Sequence, residues 1–108
     1  MATPPGLIVT VLYPRSSDLK FNLNYYLSHH IPLATKIWTP HGLLGVTVGE
    51  TLAESTEFAY TITTQWKDLE AWEAAQRDQT GLKELMSDVP KFTNAEPIFV
   101  VAKVVSKE

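Results

Sequence analysis

The chain has 108 residues, the size of one domain with a single hydrophobic core. Hydrophobic residues make up 44% of it, which excludes a disordered chain. Its net charge is −3, and its basic residues form no run that could follow a nucleic-acid backbone. There is no cysteine, so neither a disulfide framework nor a thiolate metal site can form.

The N-terminal segment carries no basic residues ahead of its first apolar run, so it does not have the pattern of a signal peptide. No apolar run approaches the ~18 residues that a membrane helix needs. We therefore expect one soluble, cytoplasmic domain over residues 1–108 that does not bind membranes.

The first half of the chain predicts a strand and then a helix. Residues 7–13 form a short β-branched run, which favours a strand. A helix is expected from Leu23, with Asn22 as its N-cap, because a short side-chain oxygen can accept a backbone N–H of the first turn. Pro32 has no N–H, so the helix should kink or restart there.

Two strands are predicted next. Residues 43–52 read as a strand that is weakened or bulged at Gly45 and Gly49. Residues 58–66 alternate between two sets of side chains, which is the pattern of a strand with two different faces.

The last part of the chain predicts helix and then strand. Asp68 is the expected cap of a helix on which Leu69, Trp72 and Gln76 share a face, and Thr80 is the expected cap of a second helical piece. Residues 98–106 are apolar and β-branched, which favours a final strand.

This order predicts an α+β fold of the ferredoxin-like βαββαβ type, a four-stranded antiparallel sheet with both helices on one face. The first and last strands are apolar on both faces, although helices can cover only one. We therefore expect the bare face to pack on a second copy, giving a homodimer. The alternative is a monomer with an unusually apolar sheet.

Tyr26 and His30 are four residues apart and so lie on one helical face, and Tyr25 and His29 repeat this spacing on the next face. Imidazole is the side chain that can take and return a proton near neutral pH, and a neighbouring phenol can orient it or bind a substrate oxygen. On spacing alone, a Tyr–His pair of this kind is more often ordinary packing with a solvated edge than a catalytic pair.

Other chemistries find little support in the sequence. His29 and His30 diverge on a regular helix, and His41 could join one of them only through loop folding, so no metal site is expected. There is no phosphate-binding glycine pattern for a nucleotide cofactor and no G-x-S-x-G nucleophile. We expect an enzyme or binding protein that needs no cofactor.

Several side chains, most of them aromatic, could line a flat pocket that holds an aromatic or polyketide-like ligand. The aromatic ones are equally good core residues. The candidate substrate-binding residues are Tyr25, Trp38, Tyr60, Trp66, Phe92 and Asp88.

Two motifs resemble the short EthD family. The first is F-x3-Y-Y-x3-H-x-P-L over residues 21–33, followed by Trp38, Pro40, Gly42 and Leu43; the second is "DVPKFTNAEP", residues 88–97. The resemblance covers residues 7–105 and implies a dimeric α+β barrel, a fold shared with small cofactor-free monooxygenases, polyketide cyclases and muconolactone isomerase. It also implies that His30, not His29, is the family's histidine. The last strand lacks the glutamine expected near residue 99 or 100, which makes the pocket more apolar.

Three functions remain open at this point. The first is a cofactor-independent lyase, cyclase, dehydratase or decarboxylase with His30 as general acid or base and Tyr26 as its partner. The second is a non-catalytic binding or accessory protein for a hydrophobic metabolite or a partner oxygenase. The third is a cofactor-free monooxygenase. Burial would lower the pKa of His30 and a nearby carboxylate, with Asp88 as the candidate, would raise it.

Overall fold

The computed structural model describes residues 5–52 and 56–108, and the strands in these ranges form one antiparallel sheet. The strands are β1 (Leu7–Pro14), β2 (Leu43–Glu50), β3 (Phe58–Trp66) and β4 (Ile98–Lys103), and their spatial order is β2-β3-β1-β4. Because β1 and β3 are the two central strands, the connections from β1 to β2 and from β3 to β4 each cross over one strand. Each of these two crossovers contains helices. The predicted ferredoxin-like βαββαβ fold is confirmed.

The helices fall into two crossovers. The first comprises α1 (Leu23–Tyr25), a π-helical turn (Tyr26–His30), α2 (Ile31–Trp38) and a 3₁₀ turn (Thr39–His41). The second comprises α3 (Leu69–Arg77), α4 (Gln79–Asp88) and a 3₁₀ turn (Val89–Lys91).

The helix starts follow side-chain capping. Asn22 accepts the Tyr25 N–H through Oδ1 at 3.1 Å, and Asp68 accepts the Ala71 N–H at 2.8 Å, as predicted. The prediction that Thr80 caps α4 is wrong, because Asp78 accepts the Gly81 N–H at 3.0 Å and Thr80 lies inside the helix.

The predicted interruption at Pro32 takes the form of the π-helical turn, with α2 restarting at Ile31. The Ile31 N–H donates to the carbonyl of Tyr26, five residues earlier, so the turn holds one residue more than an α-helical turn. Pro32 then occupies the first turn of α2, where a missing N–H is tolerated.

Two strand predictions change in detail. The pairing of β2 with β3 shifts register between Leu43 and Gly45, one of the two predicted weak points, whereas at Gly49, the other, the pairing is regular. The last strand ends at Lys103 rather than at residue 106, because Lys103 pairs with Leu7, the first residue of β1, and no strand continues beyond it.

The sheet face under the helices carries the core, which has two aromatic clusters. One contains Trp38, Trp66 and Trp72, with ring centroids 5.2–6.0 Å apart. The other surrounds Tyr26 and Phe92, whose rings are 4.8 Å apart. We call these the tryptophan cluster and the tyrosine cluster.

The other sheet face is covered by no element among the described residues. Register places Ile98 opposite Leu12 and Val100 opposite Thr10 on this face, and both β4 side chains are almost half exposed, at 44% and 46%. Exposed apolar surface on adjacent strands is typical of an interface.

We expect the protein to be a homodimer that buries this face. Light scattering at micromolar concentration should give twice the chain mass of 12.1 kDa. Val100→Lys, which places a charge on the apolar face, should shift the protein towards monomer, whereas Leu52→Lys, at a fully exposed position outside the strands, should not. A stable wild-type monomer would contradict the prediction.

Candidate functional site

A buried carboxylate–imidazole pair joins the two crossovers. His30 ends the π-helical turn and Asp88 ends α4, and their exposed fractions are only 9% and 4%. His30 Nδ1 lies 2.9 Å from Asp88 Oδ2. Because a carboxylate only accepts hydrogen bonds, Nδ1 carries the proton and Nε2 is left with a free lone pair.

The plane of the His30 ring is fixed by aromatic neighbours. Tyr26 stacks on it with ring centroids 5.5 Å apart and planes 18° from parallel, and Phe92 lies 4.6 Å away on a tilted plane. Tyr26 and His30 are the first and last residues of the π-helical turn, and π turns inside helices occur frequently at functional sites. The imidazole is therefore held before any ligand arrives.

Three further side chains approach the Asp88 carboxylate. The Tyr25 hydroxyl donates to Oδ1 at 2.6 Å, and His29 Nδ1 lies 3.5 Å from Oδ2. Lys91 Nζ is more distant, 4.0 Å from Oδ1. The carboxylate thus orients His30 while Tyr25 orients the carboxylate.

The electrostatics favour an ionised aspartate and a neutral histidine. Burial by itself raises the pKa of Asp88, but hydrogen bonds from Tyr25, His30 and His29 outweigh it, so the pKa is lowered. Burial lowers the pKa of His30 more than the Asp88 carboxylate raises it. Both opposing influences predicted from the sequence are present, and burial of the imidazole is the larger.

The two tyrosines of the π-turn region keep their protons at neutral pH. The hydrogen bond to Asp88, followed by burial, raises the pKa of Tyr25 to about 12. Burial, followed by interaction with the Tyr13 hydroxyl, raises the pKa of Tyr26 still further. Both phenols therefore act as hydrogen-bond donors and not as bases.

His30 lines a cavity of about 510 Å³ between the helices and the sheet. This volume lies within the roughly 300–1,000 Å³ of typical small-molecule sites. Most of its wall is apolar, with contributions from Val11, Val46, Ile62, Ala34, Ile31, Leu82, Leu85, Met86, Val89 and Phe99. Asp88 does not line it, so the carboxylate stands behind the imidazole and not in the path of a ligand.

A wider depression of about 1060 Å³ lies on the outer side of Asp88, next to His29. It is shallow and open to solvent, and several of its lining residues are charged. The apolar cavity is less open to solvent than this depression, so we place the candidate site at His30.

The structure separates the predicted site residues into three groups. Tyr26, His30 and Trp38 line the cavity, whereas Tyr25 and Asp88 lie behind His30. Three aromatic residues are packed elsewhere and do not line it: Trp66 donates Nε1–H to Thr64, Tyr60 stacks on Phe21, and Phe92 packs on Tyr26 and His30.

Sequence reasoning did not assign Gln76, Thr64 or Glu96 to the site, although all three line the cavity. For Gln76 the sequence did carry a signal, because helical spacing puts it on the same face as Leu69 and Trp72. In residues 5–52 and 56–108, no three histidine, aspartate or glutamate side chains come together in an arrangement that could hold a metal ion.

Solved structures resemble the whole domain. An EthD-like protein from Ralstonia eutropha superposes with a TM-score of 0.83 at 22% identity, over 97% of this chain and 96% of that one. The chain has an EthD-like fold. An ethyl tert-butyl ether D family protein from Bacillus halodurans gives a TM-score of 0.64 at 18% identity, over 93% and 99% of the two chains. The resemblance to EthD proteins read from the sequence motifs is thus supported at the level of the fold.

The same fold occurs in an enzyme of known type. SnoaB, a cofactor-independent oxygenase from Streptomyces nogalater, gives a TM-score of 0.63 at 10% identity, over 94% of this chain and 93% of that one.

No protein-family model matches the sequence, and no curated protein matches it. None of the helices in the described part of the chain is long and apolar enough to cross a membrane.

Titration of the histidine rings by NMR tests the His30–Asp88 pair. In the wild type, His30 should titrate below the ordinary histidine value of about 6.5, because burial disfavours its charged form. Asp88→Asn should lower the pKa further, since it removes the carboxylate that raises it. The chemical shifts of His41, which pairs with Asp78, should stay unchanged in this variant.

The lowered pKa of His30 also predicts how the stability of the fold depends on pH. Because the folded pKa of His30 lies below its unfolded value, His30 contributes stability above about pH 6.5 that is lost as the pH falls through the folded pKa. A His30 pKa above 6.5 in the NMR titration would contradict both statements.

Proposed function

We propose that the chain is a cofactor-independent enzyme of the lyase or cyclase type, including dehydration and decarboxylation, that acts on a hydrophobic, aromatic or polyketide-derived metabolite. The observation that supports this is the buried Asp88–His30 pair, which supplies a neutral imidazole with a fixed tautomer to a mostly apolar cavity. A homodimer that covers the free sheet face would be the functional unit.

The proposed step is proton transfer at a carbon next to a carbonyl group. The Nε2 lone pair of His30 takes the proton, the electron pair of the C–H bond forms a double bond to the carbonyl carbon, and the π pair of the C=O bond moves to oxygen to give an enolate. Asp88 stabilises the imidazolium that forms, because its ionised carboxylate already binds Nδ1–H. The imidazolium then returns the proton to carbon, or to a departing hydroxide, which leaves as water.

Tyr26 contributes mainly through its ring in this arrangement. Its hydroxyl interacts with Tyr13 and its ring stacks on the imidazole, so it is a positioning residue for His30. Met86, Leu85 and Val89 from the second crossover supply apolar contact for the substrate and exclude water.

An oxygenase is the second candidate, and the fold shared with SnoaB favours it. The same proton removal from a phenol or an activated carbon gives an electron-rich anion that dioxygen can oxidise. Oxygen consumption with anthrone as the probe would distinguish this reaction from cyclisation or elimination, neither of which consumes dioxygen. A binding protein, the third alternative, would neither exchange protons nor consume oxygen.

Hydrogen–deuterium exchange at the C1 position of 2-tetralone, followed by NMR in D₂O, tests the proton transfer without knowledge of the natural substrate. Wild-type protein should accelerate exchange, and the rate should rise with pH and level off above the folded pKa of His30. His30→Ala should lose about 10²–10⁴-fold in rate, as expected for removal of a general base. Asp88→Asn should lose about 10²-fold or more by disturbing the tautomer.

His29→Ala is the matched control, because His29 is adjacent in sequence but 55% exposed on the outer side of Asp88. It should retain nearly all the exchange rate, and Tyr26→Phe, which keeps the ring that stacks on His30 and loses only the hydroxyl, should retain most of it. Exchange that equals the rate in buffer, or that is lost in His29→Ala and kept in His30→Ala, would rule out the proposal.

A further inference from the structure

The cavity that His30 lines meets solvent along residues 86–99. Among the described residues that line it, those that are exposed are Met86, Pro90, Glu96 and Phe99, and all of them belong to this stretch. The stretch runs from the last turns of α4 to the second residue of β4. We call this rim the mouth of the cavity.

Glu96 is the one charged side chain among the described residues that line the cavity. It lies outside the helices and strands, two residues before β4, and its side chain is exposed. No ion pair in the described part of the chain involves it. The mouth therefore carries a negative charge that no neighbouring cation balances.

A second negative charge lies behind the imidazole. The ionised Asp88 carboxylate is 2.9 Å from His30 Nδ1, and His30 itself is neutral. The cation nearest to Asp88 is Lys91, with Nζ at 4.0 Å from Oδ1, but it belongs to the outer depression. No lysine or arginine of the described residues lines the cavity, so both fixed charges that act on a ligand there are negative.

This charge distribution discriminates between neutral and anionic ligands. A carboxylate that enters the cavity loses its water and finds no cation to replace it, and two negative charges repel it. A neutral ketone pays neither cost. Proton transfer from a neutral ketone to His30 creates an enolate next to an imidazolium, so the new charges are opposite and adjacent.

We infer that Glu96 is a specificity-determining residue that disfavours substrates with a carboxylate, so that the substrate is an uncharged carbonyl compound. The inference rests on the proposed function and narrows it. Among the reactions proposed above, decarboxylation is the one that needs a carboxylate on its substrate. Cyclisation and dehydration of neutral ketones are the reactions that this cavity favours.

A matched pair of probes tests the charge selection. 2-Acetylnaphthalene and 2-naphthoate share one ring system and carry a neutral acetyl group or a carboxylate of nearly equal size. Calorimetry gives the affinity for the ketone, and displacement of the ketone gives the affinity for the carboxylate, so both values refer to one site. At pH 7 the wild type should bind the ketone about tenfold more tightly, or better.

Glu96→Gln keeps the shape of the side chain and removes its charge. It should raise the affinity for 2-naphthoate relative to the ketone by about threefold, and Glu96→Lys should raise it by about tenfold. Because Glu96 is exposed and lies outside the helices and strands, both variants should melt like the wild type. Failure of the ketone to bind, equal affinities for the two probes in the wild type, or a ratio that neither variant changes would overturn the inference.

Two exposed glutamates serve as matched controls. Glu70→Gln at the start of α3 and Glu84→Gln on the outer depression should keep the wild-type ratio, because neither residue lines the cavity. A ratio that changes in Glu84→Gln and not in Glu96→Gln would place the carboxylate in the outer depression, next to Lys83, and would overturn the assignment to Glu96.

Salt dependence gives a second readout that a purely structural role would not produce. Added NaCl screens exposed charges, so it should raise the affinity of the wild type for 2-naphthoate relative to the ketone. The rise should be smaller in Glu96→Gln, which lacks the charge at the mouth. The same salt dependence in both proteins would contradict the role of Glu96.

The charge selection and the proposed function fail separately. Loss of proton exchange in His30→Ala, together with an unchanged probe ratio in Glu96→Gln, would overturn the role of Glu96 alone. A probe ratio that changes in Glu96→Gln, together with full proton exchange in His30→Ala, would overturn the catalytic role of His30 and leave the charge selection standing.

Discussion

The buried Asp88 carboxylate is the group around which the site is organised. An ionised carboxylate that is 4% exposed is stable only if hydrogen bonds replace its water, and here His30 and Tyr25 each donate to one of its oxygens. These contacts join the first crossover to the end of the second. A hydrogen bond to a charged group typically contributes about 1.5–3 kcal/mol, so the same contacts that orient the imidazole also hold the helices together.

The π-helical turn makes this arrangement possible. It places Tyr25 and His30, five residues apart, against the same carboxylate, while Tyr26 stacks on the His30 ring. His29 is left at the solvent side of Asp88, with its ring stacked on Tyr25. The adjacent histidines therefore have different environments, His30 buried and His29 exposed.

The cavity combines the His30 imidazole with a mostly apolar wall. A neutral imidazole in such surroundings forms stronger hydrogen bonds to a bound ligand than it would in water, because less solvent competes. The threonine-rich half of the uncovered sheet face, with Thr61 and Thr63 on β3, contrasts with its apolar half on β1 and β4. A partner subunit would need both kinds of contact, which favours a second copy in a defined orientation.

The amino-acid sequence by itself determined the order of elements, the Asn22 and Asp68 caps and the register shift at Gly45, because each of these follows from local spacing. The choice of His30 over His29 as the site histidine came from a motif and stays a prediction. The sequence could not place Thr80 inside α4, since the competing cap at Asp78 has an equally good side chain. It also could not decide between burial and Asp88 as the dominant influence on the His30 pKa, or place Glu96 at the mouth of the cavity. Those depend on contacts between residues tens of positions apart, and only the packing of the helices on the sheet fixes which polar atoms are buried together and which keep a partner.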